Sequence, residues 1–467
     1  MKVFLFAPSR QPENLPPHLV EVAKRSGNQI GSNQELPYDL GYIAAMLKQR
    51  GHEAIIWDEH SLGCGREQTL QKIKGYAPDF IGVATDCVSK WGCHVPTVEH
   101  ADKAVAQIKE IMPKVPIVIM GPQLEANPRL TKAKADVIIK SEYEEVFMNV
   151  FDHYPNLENV LGIIYFKDGK EMETPAAPKA LMENFPVPDY SSIPLEKYHD
   201  IIMESTRGCP FSCTFCMREL IGIQYRPKNY DKIIEEIRLI SKHADEIFIT
   251  DAIFLPQHVF KFTEALKKND IHIKYRILTR PQFLTEDVVK ALAETGCSGV
   301  TIGTETASNQ LLKNVNKMTT VEETEKAVNN CKKYGLNLSL FMMLFLPGET
   351  TETLKETLAF AKRVDVNIAT EITTPIPGTK LWKQALESGE LKTGDWVECL
   401  EKAGTIGTKF TPEEVQRYKA WFFREIAKHM AMRRPLEVLK RVIVRPGKII
   451  EYMNFFITDL LQNPMKS

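Results

Sequence analysis

The sequence carries no surplus of either charge, no long apolar run, no secretory leader and no cysteine-rich tail. Across 467 residues, 59 basic side chains face 60 acidic ones, so no global field draws the chain to nucleic acid or to an anionic membrane. The opening Met1-Lys-Val-Phe-Leu-Phe-Ala7 is too short for the apolar core of a signal peptide and reads as a first strand. Leu338–Leu346 is apolar but far below the ~20 residues of a membrane span. There is no internal repeat and no low-complexity tract. Nine cysteines are scattered through the chain, and without a secretory segment they read as reduced thiols of a cytoplasmic protein. Only Cys399 lies in the tail, and Cys297 and Cys331 stand alone on predicted core elements, which argues against a second, cysteine-rich cluster domain.

Three cysteines are not scattered. Cys209, Cys213 and Cys216 fall within Ser205-Thr-Arg-Gly-Cys-Pro-Phe-Ser-Cys-Thr-Phe-Cys-Met-Arg-Glu219, spaced C-x3-C-x2-C after the apolar run Ile201-Ile-Met203. A structural zinc needs a fourth Cys or His at finger-like spacing, and His199 and His243 do not supply one. Three thiolates on one loop can hold three irons of a cubane cluster and leave the fourth iron open, whereas electron-transfer clusters take four protein ligands. An open iron is a site for chemistry, and its oxygen sensitivity fits an anaerobic cytoplasm.

The chain divides by pattern into residues 1–150, 151–199, 200–385 and 386–467. In the first part, predicted strands at Lys2–Ala7, Glu53–Trp57, Phe80–Ala84, Ile117–Met120 and Val137–Ile139 alternate with helices such as Leu40–Arg50 and Ala101–Ile111. Short β-branched strands alternating with helices predict an α/β, doubly wound, Rossmann-like parallel sheet whose ligands bind beyond the strands' carboxyl ends. The loops to watch start at Thr85, Gly121 and Ser141. Ile163–Met172 reads as a hairpin around Asp168-Gly169, and the prolines at 175, 178, 186, 188 and 194 read as a linker. Strands then recur at Ile201–Ser205, Glu246–Thr250, Ile273–Leu278, Gly299–Gly303, Leu338–Phe345 and Ile368–Thr373, with helices such as Asp231–Lys242, Thr285–Thr295 and Glu322–Tyr334 between them. Six such units suit a partial, TIM-like (β/α)6 barrel with its site at the carboxyl ends of the strands. The tail reads as helical.

The cysteine run, with Phe215 before its last thiol, resembles the signature of radical S-adenosylmethionine (SAM) enzymes. Tyr225-Arg-Pro227, Ile249-Thr-Asp-Ala-Ile-Phe254, Gly296-Cys-Ser-Gly-Val-Thr-Ile-Gly-Thr-Glu305, Phe345-Leu-Pro-Gly-Glu349 and Thr374-Pro-Ile-Pro-Gly-Thr379 extend the resemblance in order. It implies a 4Fe–4S cluster on Cys209, Cys213 and Cys216, with SAM chelating the open iron and one electron releasing a 5′-deoxyadenosyl radical. By the same resemblance Phe215 contacts adenine or packs the loop, and Thr250 and Asp251 lie near the cofactor's amine. Glu305 would meet ribose hydroxyls or the amine, and Arg280 a carboxylate or a structural ion pair.

The N-terminal part resembles the cobalamin-binding domain that precedes the barrel in one large subgroup of that family. Val118-Ile-Met-Gly-Pro-Gln123 parallels its Gly-Gly-Pro-His loop, which places Gly121, Pro122 and Gln123 beside the corrinoid together with Thr85. Lys140-Ser-Glu-Tyr-Glu-Glu145 parallels its Gly-Glu-Gly-Glu loop and nominates Glu142. Met120, Gln123, Ser141 and Tyr143 depart from the pattern. Asp58-Glu-His-Ser-Leu-Gly63 fits a cobalt-ligating Asp-x-His-x-x-Gly pattern but follows the second strand instead of the first, so His60 reads as a surface histidine. Trp91 and His94 either border the corrin face or pack. Cys64, Cys87 and Cys93 suggest a second cluster of the transfer-RNA-modifying kind, which the helical tail does not support. The basic, amphipathic Arg433–Arg445 packs on the barrel or lies on a membrane surface, the first being the commoner arrangement.

The resemblance implies a cobalamin-dependent C-methyltransferase. In that chemistry the adenosyl radical takes hydrogen from an unactivated carbon, which then receives a methyl group from methylcobalamin, with flavodoxin or ferredoxin as electron donor. The alternative is a cyclase, rearrangement or coupling enzyme without methyl transfer. A small molecule, a peptide or a protein all remain open as substrate, nucleic acid does not fit, and the sequence does not give the oligomeric state.

Overall fold

The computed structural model describes residues 1–9, 36–85, 98–198, 200–217 and 222–433. Five strands, β1 (Lys2–Ala7), β2 (Glu53–Asp58), β3 (Phe80–Ala84), β4 (Ile117–Met120) and β5 (Val137–Ile139), form the parallel part of a seven-stranded sheet. The hairpin β6 (Ile163–Lys167) and β7 (Lys170–Glu173) joins its edge antiparallel, giving the order 2-1-3-4-5-6-7. The sheet is therefore doubly wound but not wholly parallel, because a hairpin with a tight turn can only add antiparallel. Strands buried on both faces, such as Phe80-Ile-Gly-Val-Ala84, carry unbroken apolar runs where a half-exposed strand would alternate. The strand order reverses direction between β1 and β3, which places the ligand crevice at their carboxyl ends.

The second sheet contains β8 (Ile201–Met203), β11 (Glu246–Ile249), β12 (Lys274–Thr279), β13 (Cys297–Glu305), β14 (Asn337–Leu344) and β15 (Asn367–Ile372), parallel throughout and ordered by sequence. A two-stranded antiparallel ribbon, β9 (Thr206–Arg207) with β10 (Arg226–Pro227), stands on the carboxyl end of β8 and carries the cysteine loop between its strands. Helices Lys380–Glu387, Trp396–Glu401 and Pro412–Arg433 follow the last strand.

The proline-rich crossing is not a free linker. Met182, Phe185, Tyr190, Ile193, Leu195 and Tyr198 are buried, and one apolar cluster runs from β1 through this crossing into the barrel. Gly41, inside helix Tyr38–Gln49, makes room for it, since a Cβ there would lie 2.9 Å from both Pro188 and Tyr190. The Asp189 amide donates to the Gly41 carbonyl at 2.9 Å, and the Tyr198 hydroxyl to Asp58 at 2.6 Å. Prolines hold the strap extended while its aromatics bind the two sheets into one core.

Candidate active site

The cysteine loop starts from a backbone position that tolerates no side chain. Gly208 has φ +84°, and a Cβ there would lie 1.9 Å from the Gln224 carbonyl oxygen across the ribbon. From there the Cys209 amide donates to the Gly222 carbonyl at 3.1 Å, the Thr214 amide to Val315 at 3.0 Å and the Cys216 amide to Cys213 at 3.1 Å. Asn316 fastens the middle of the loop through Ser212, with bonds of 3.1 and 2.9 Å. Cys209 and Cys213 are buried, Cys216 is half-buried, and none is in a disulfide. Among the described residues no three His, Cys, Asp or Glu side chains gather tightly enough for a single metal ion. A cubane asks for something different, one thiolate at each of three separate corners, and this donor set fits it.

Around the loop stand two groups with unmet bonding capacity. Glu305 ends β13 beyond a register shift between Gly303 and Glu305, and it adopts φ +63°. Such bulges re-aim a side chain next to a site. Its Oε1 accepts from Lys317 Nζ, and its buried Oε2 has no partner. Gly303 is required here, since a Cβ would lie 2.5 Å from Glu305 Oε1 and 2.6 Å from Lys317 Nζ. Arg280, just past β12, is 5 % exposed and lies over the Phe211 ring, 3.8 Å from its centroid. Its Nη1 donates to Cys213 Sγ at 3.8 Å, while Nε and Nη2 have no partner.

Three nominated residues are otherwise engaged. Asp251 is fully buried and accepts from the Ser205 amide at 2.6 Å, the Thr206 amide at 3.0 Å and the Ser205 hydroxyl. Burial raises its carboxyl to about 7, against the bonds from Ser205 and Thr206 that favour the carboxylate. Ser205 also meets His258 Nε2 at 2.8 Å, and His258 Nδ1 meets the Tyr230 hydroxyl at 2.6 Å. Burial, with Lys261 nearby, lowers His258 to about 3, so the ring is neutral. This relay pins the turn between β8 and β9, which makes Asp251 a positioning group for the cysteine loop. Thr250 bonds back to the Met203 carbonyl at 3.2 Å on the same turn. Phe215 is half-buried and joins two apolar clusters, one of Leu311, Val315 and Leu346 and one around Leu381 and Cys399.

Glu142 is the larger departure from expectation. It accepts from Arg226 at 2.7 and 3.2 Å, from Arg207 at 3.2 Å and from the Ala180 amide at 2.9 Å, all out of water. Arg207, wholly buried on β9, also reaches Glu204 at 2.7 Å, Glu144 at 2.5 Å and Asp39 at 3.3 Å. Asp39 and Glu144 lie in the first turns of helices Tyr38–Gln49 and Tyr143–His153, where the helix dipole favours a carboxylate. The loop expected to lie against a corrinoid tail is thus a charged seam fastening the carboxyl edge of the first sheet to the ribbon. Ser141 and Tyr143, where the family pattern has glycine, serve it: Ser141 accepts from the Ala177 amide at 3.1 Å and Tyr143 donates to Asp39.

At the crevice itself, the Thr85 hydroxyl donates to Gln123 Oε1 at 2.7 Å and the Thr85 carbonyl meets His100 Nε2 at 2.6 Å. Gly121, at φ +150°, would place a Cβ 2.0 Å from Thr85 Oγ1, and Pro122 opens the helix Pro122–Ala126. These residues build a close-packed floor at the strand ends, the form a planar macrocycle needs. His60 sits on a short helix after the edge strand β2, where Asp58 accepts from its amide. Trp91, His94, Cys87, Cys93 and the basic segment after Arg433 lie outside the described residues. A crevice of about 750 Å³ lined by Asp245, Asp270, His272, Lys274 and Glu294 opens at the opposite, amino-terminal end of the barrel.

Arg207, Arg226 and Lys317 carry functional geometry that sequence reading passed over. The two arginines were visible beside or inside the quoted motifs, as cations next to apolar strands. Lys317 gave no such sign.

A parallel partial barrel with a three-thiolate loop at its mouth, seamed to a corrinoid-type sheet, defines a radical enzyme paired with a second cofactor domain. Residues 203–361 match the radical SAM superfamily and residues 33–151 the B12 binding domain. The chain is 30 % identical over 404 residues to "Uncharacterized methyltransferase PH0819" of Pyrococcus horikoshii, covering 82 % of this chain and 85 % of that one. It belongs to the radical SAM superfamily, in the group that carries a B12 binding domain, and its cofactors are a 4Fe–4S cluster, SAM and cobalamin. It is 28 % identical over 418 residues to the anaerobic magnesium-protoporphyrin IX monomethyl ester cyclase of Rubrivivax gelatinosus, covering 84 % of this chain and 72 % of that one. Among solved structures, TsrM of Kitasatospora setae, a radical SAM methyltransferase with cobalamin and cluster bound, shares the fold at TM-score 0.67 and 17 % identity, over 84 % of this chain and 79 % of that one. OxsB with aqua-cobalamin and SAM matches at TM-score 0.63 and 20 % identity, over 85 % of this chain but 57 % of its own. No described helix is long and apolar enough to cross a membrane.

Proposed function

We propose that the chain is a cobalamin-dependent radical SAM C-methyltransferase acting on an unactivated carbon. The observation that carries this reading is the seam, which holds the carboxyl edge of the corrinoid-type sheet against the cysteine loop. Chemistry that needs two cofactors at one carbon depends on such fixed placement, since misplacement by an ångström is costly. When bound, the cluster with SAM supplies an adenosyl radical, and cobalamin supplies the methyl group. In this reading Cys209, Cys213 and Cys216 ligate the cluster. Glu305, oriented by Lys317, offers Oε2 to the amine or ribose of SAM, Phe215 flanks the adenine, and Thr250 lies near the amine. Nε and Nη2 share one edge of the Arg280 guanidinium, the edge that takes a carboxylate in two parallel bonds. Thr85, Gly121, Pro122 and Gln123 floor the corrinoid site, while Asp251 and Glu142 act by holding the loop and the seam. A flavodoxin or ferredoxin supplies electrons, and the setting is an anaerobic cytoplasm.

A cyclase without methyl transfer is the second reading, favoured by the 28 % identity to the protoporphyrin ester cyclase. Trideuteromethyl-SAM separates the two when supplied with reductant, cobalamin and the reconstituted protein to an anaerobic cell extract. A product heavier by one labelled methyl supports transfer, and an unlabelled, hydrogen-depleted product supports cyclisation. Cys213→Ala is expected to abolish 5′-deoxyadenosine release. Protein that takes up no corrinoid would overturn the methyl-transfer reading and leave the radical one standing.

A further inference from the structure

We propose that Arg280 sets the reduction potential of the cluster through its hydrogen bond to the Cys213 sulfur. The inference rests on the cysteine triplet being the cluster's ligand set. Three observations meet at one side chain. Arg280 is 5 % exposed, its Nη1 is 3.8 Å from Cys213 Sγ, and its guanidinium is seated 3.8 Å from the centroid of Phe211. Phe211, itself part of the cysteine loop, packs in turn against Phe283, tilted by 50° at 6.0 Å between centroids. Contact with Phe211 seats the guanidinium where Nη1 meets the Cys213 sulfur. Among the bonds described, no carboxylate pairs with this arginine, unlike Arg207 and Arg226, so its positive charge faces the cluster unneutralised.

Reduction of the cluster adds one electron, delivered by a low-potential flavin or iron–sulfur protein, with no bond broken and no proton taken up. A cation and an N–H···S bond both favour the more negative, reduced state, and hydrogen bonds to cluster sulfurs are among the factors that set such potentials. Burial of Cys209 and Cys213 would otherwise leave the added negative charge of the reduced state costly. Arg280 acts through Cys213 and is therefore a positioning residue, separate from the ligands.

The test is a redox titration of the anaerobically reconstituted full chain, without SAM, followed by electron paramagnetic resonance of the reduced cluster. Arg280→Gln is expected to make reduction about tenfold less favourable, a midpoint about 59 mV more negative. Arg280→Met is expected to shift it further. Arg276→Gln, a cation on β12 paired with Asp200 and Glu246, is expected to leave the midpoint in place. Midpoints of both Arg280 variants equal to that of the wild type would overturn the proposal. A second measurement holds even if those variants lose their cluster. Wild-type protein labelled with 15N-arginine is expected to give a nitrogen coupling in the spin echo of the reduced cluster, and its absence would overturn the proposal. Wild-type protein that assembles no cluster would instead refute the ligand assignment on which the inference rests.

Discussion

Glu349 accepts from the Phe345 amide at 2.8 Å, the Leu346 amide at 3.3 Å and Thr353 at 2.9 Å, and it holds Phe345 at φ +65°. Burial raises its carboxyl from 4.5 to about 7. Between those values the folded protein keeps a proton that the unfolded chain has released, so this contribution to stability is full below the window and lost as pH rises through it. Glu349→Gln keeps the acceptor and removes the titration. Its unfolding free energy from urea titration is expected to match the wild type near pH 4 and to exceed it at pH 8 by on the order of 3 kcal/mol. A difference that does not change with pH would refute this. The difference isolates Glu349 from His258, whose lowered value acts with the opposite sign on the acid side. Arg207 belongs to the same scale. Arg207→Met strands buried carboxylates and is expected to cost about 3–5 kcal/mol in chemical denaturation, and a loss under 1 kcal/mol would deny the seam its role. The sequence nominates the cysteines and Glu305 because the chemistry proposed for them needs those residue types in a fixed order. Glu142 and Asp251 are nominated by motif alone, and a motif gives a carboxylate's position in the chain, whereas the groups that bond to it are set by folding.

Among elements, the ribbon that bears the cysteine loop is the one no periodicity announces. Two residues per strand are too few for alternation, and Ile201–Ser205 read as one strand where the backbone leaves β8 at Met203 and starts β9 at Thr206. The parallel strands were legible, since short buried apolar runs separated by helices leave few other arrangements. Gly208→Ala is expected to open the ribbon, because it sets a Cβ against the Gln224 carbonyl at a positive φ. The measurement is iron and sulfide content after reconstitution, and full loading would contradict the expectation. Gly303→Ala should leave the iron in place and weaken SAM binding by displacing the Glu305–Lys317 pair, which calorimetry on the loaded protein would detect.

For the whole molecule, the strap and the seam make two sheets into one body. A fragment of residues 200–433 would expose the apolar faces of β8 and helix Tyr230–Ile240 and leave Arg207 and Arg226 without Asp39, Glu142 and Glu144. It is expected to be insoluble when expressed alone, and a monomeric, cooperatively melting fragment would overturn that. Long-range partnership of this kind was hidden from the sequence, where prolines at 175–194 looked like a spacer and the seam's carboxylates lie up to 168 positions from their arginine. The seam also bears on how such enzymes recombine. Asp39, Glu142 and Glu144 come from the N-terminal half and Arg207, Arg226 and Glu204 from the cysteine-ribbon side, so the carboxylates of the first half find their cations only in the second. A chimera that grafts this barrel onto a foreign corrinoid domain must carry all six side chains across together, and a shuffled library should recover active crossovers only where that set stays whole.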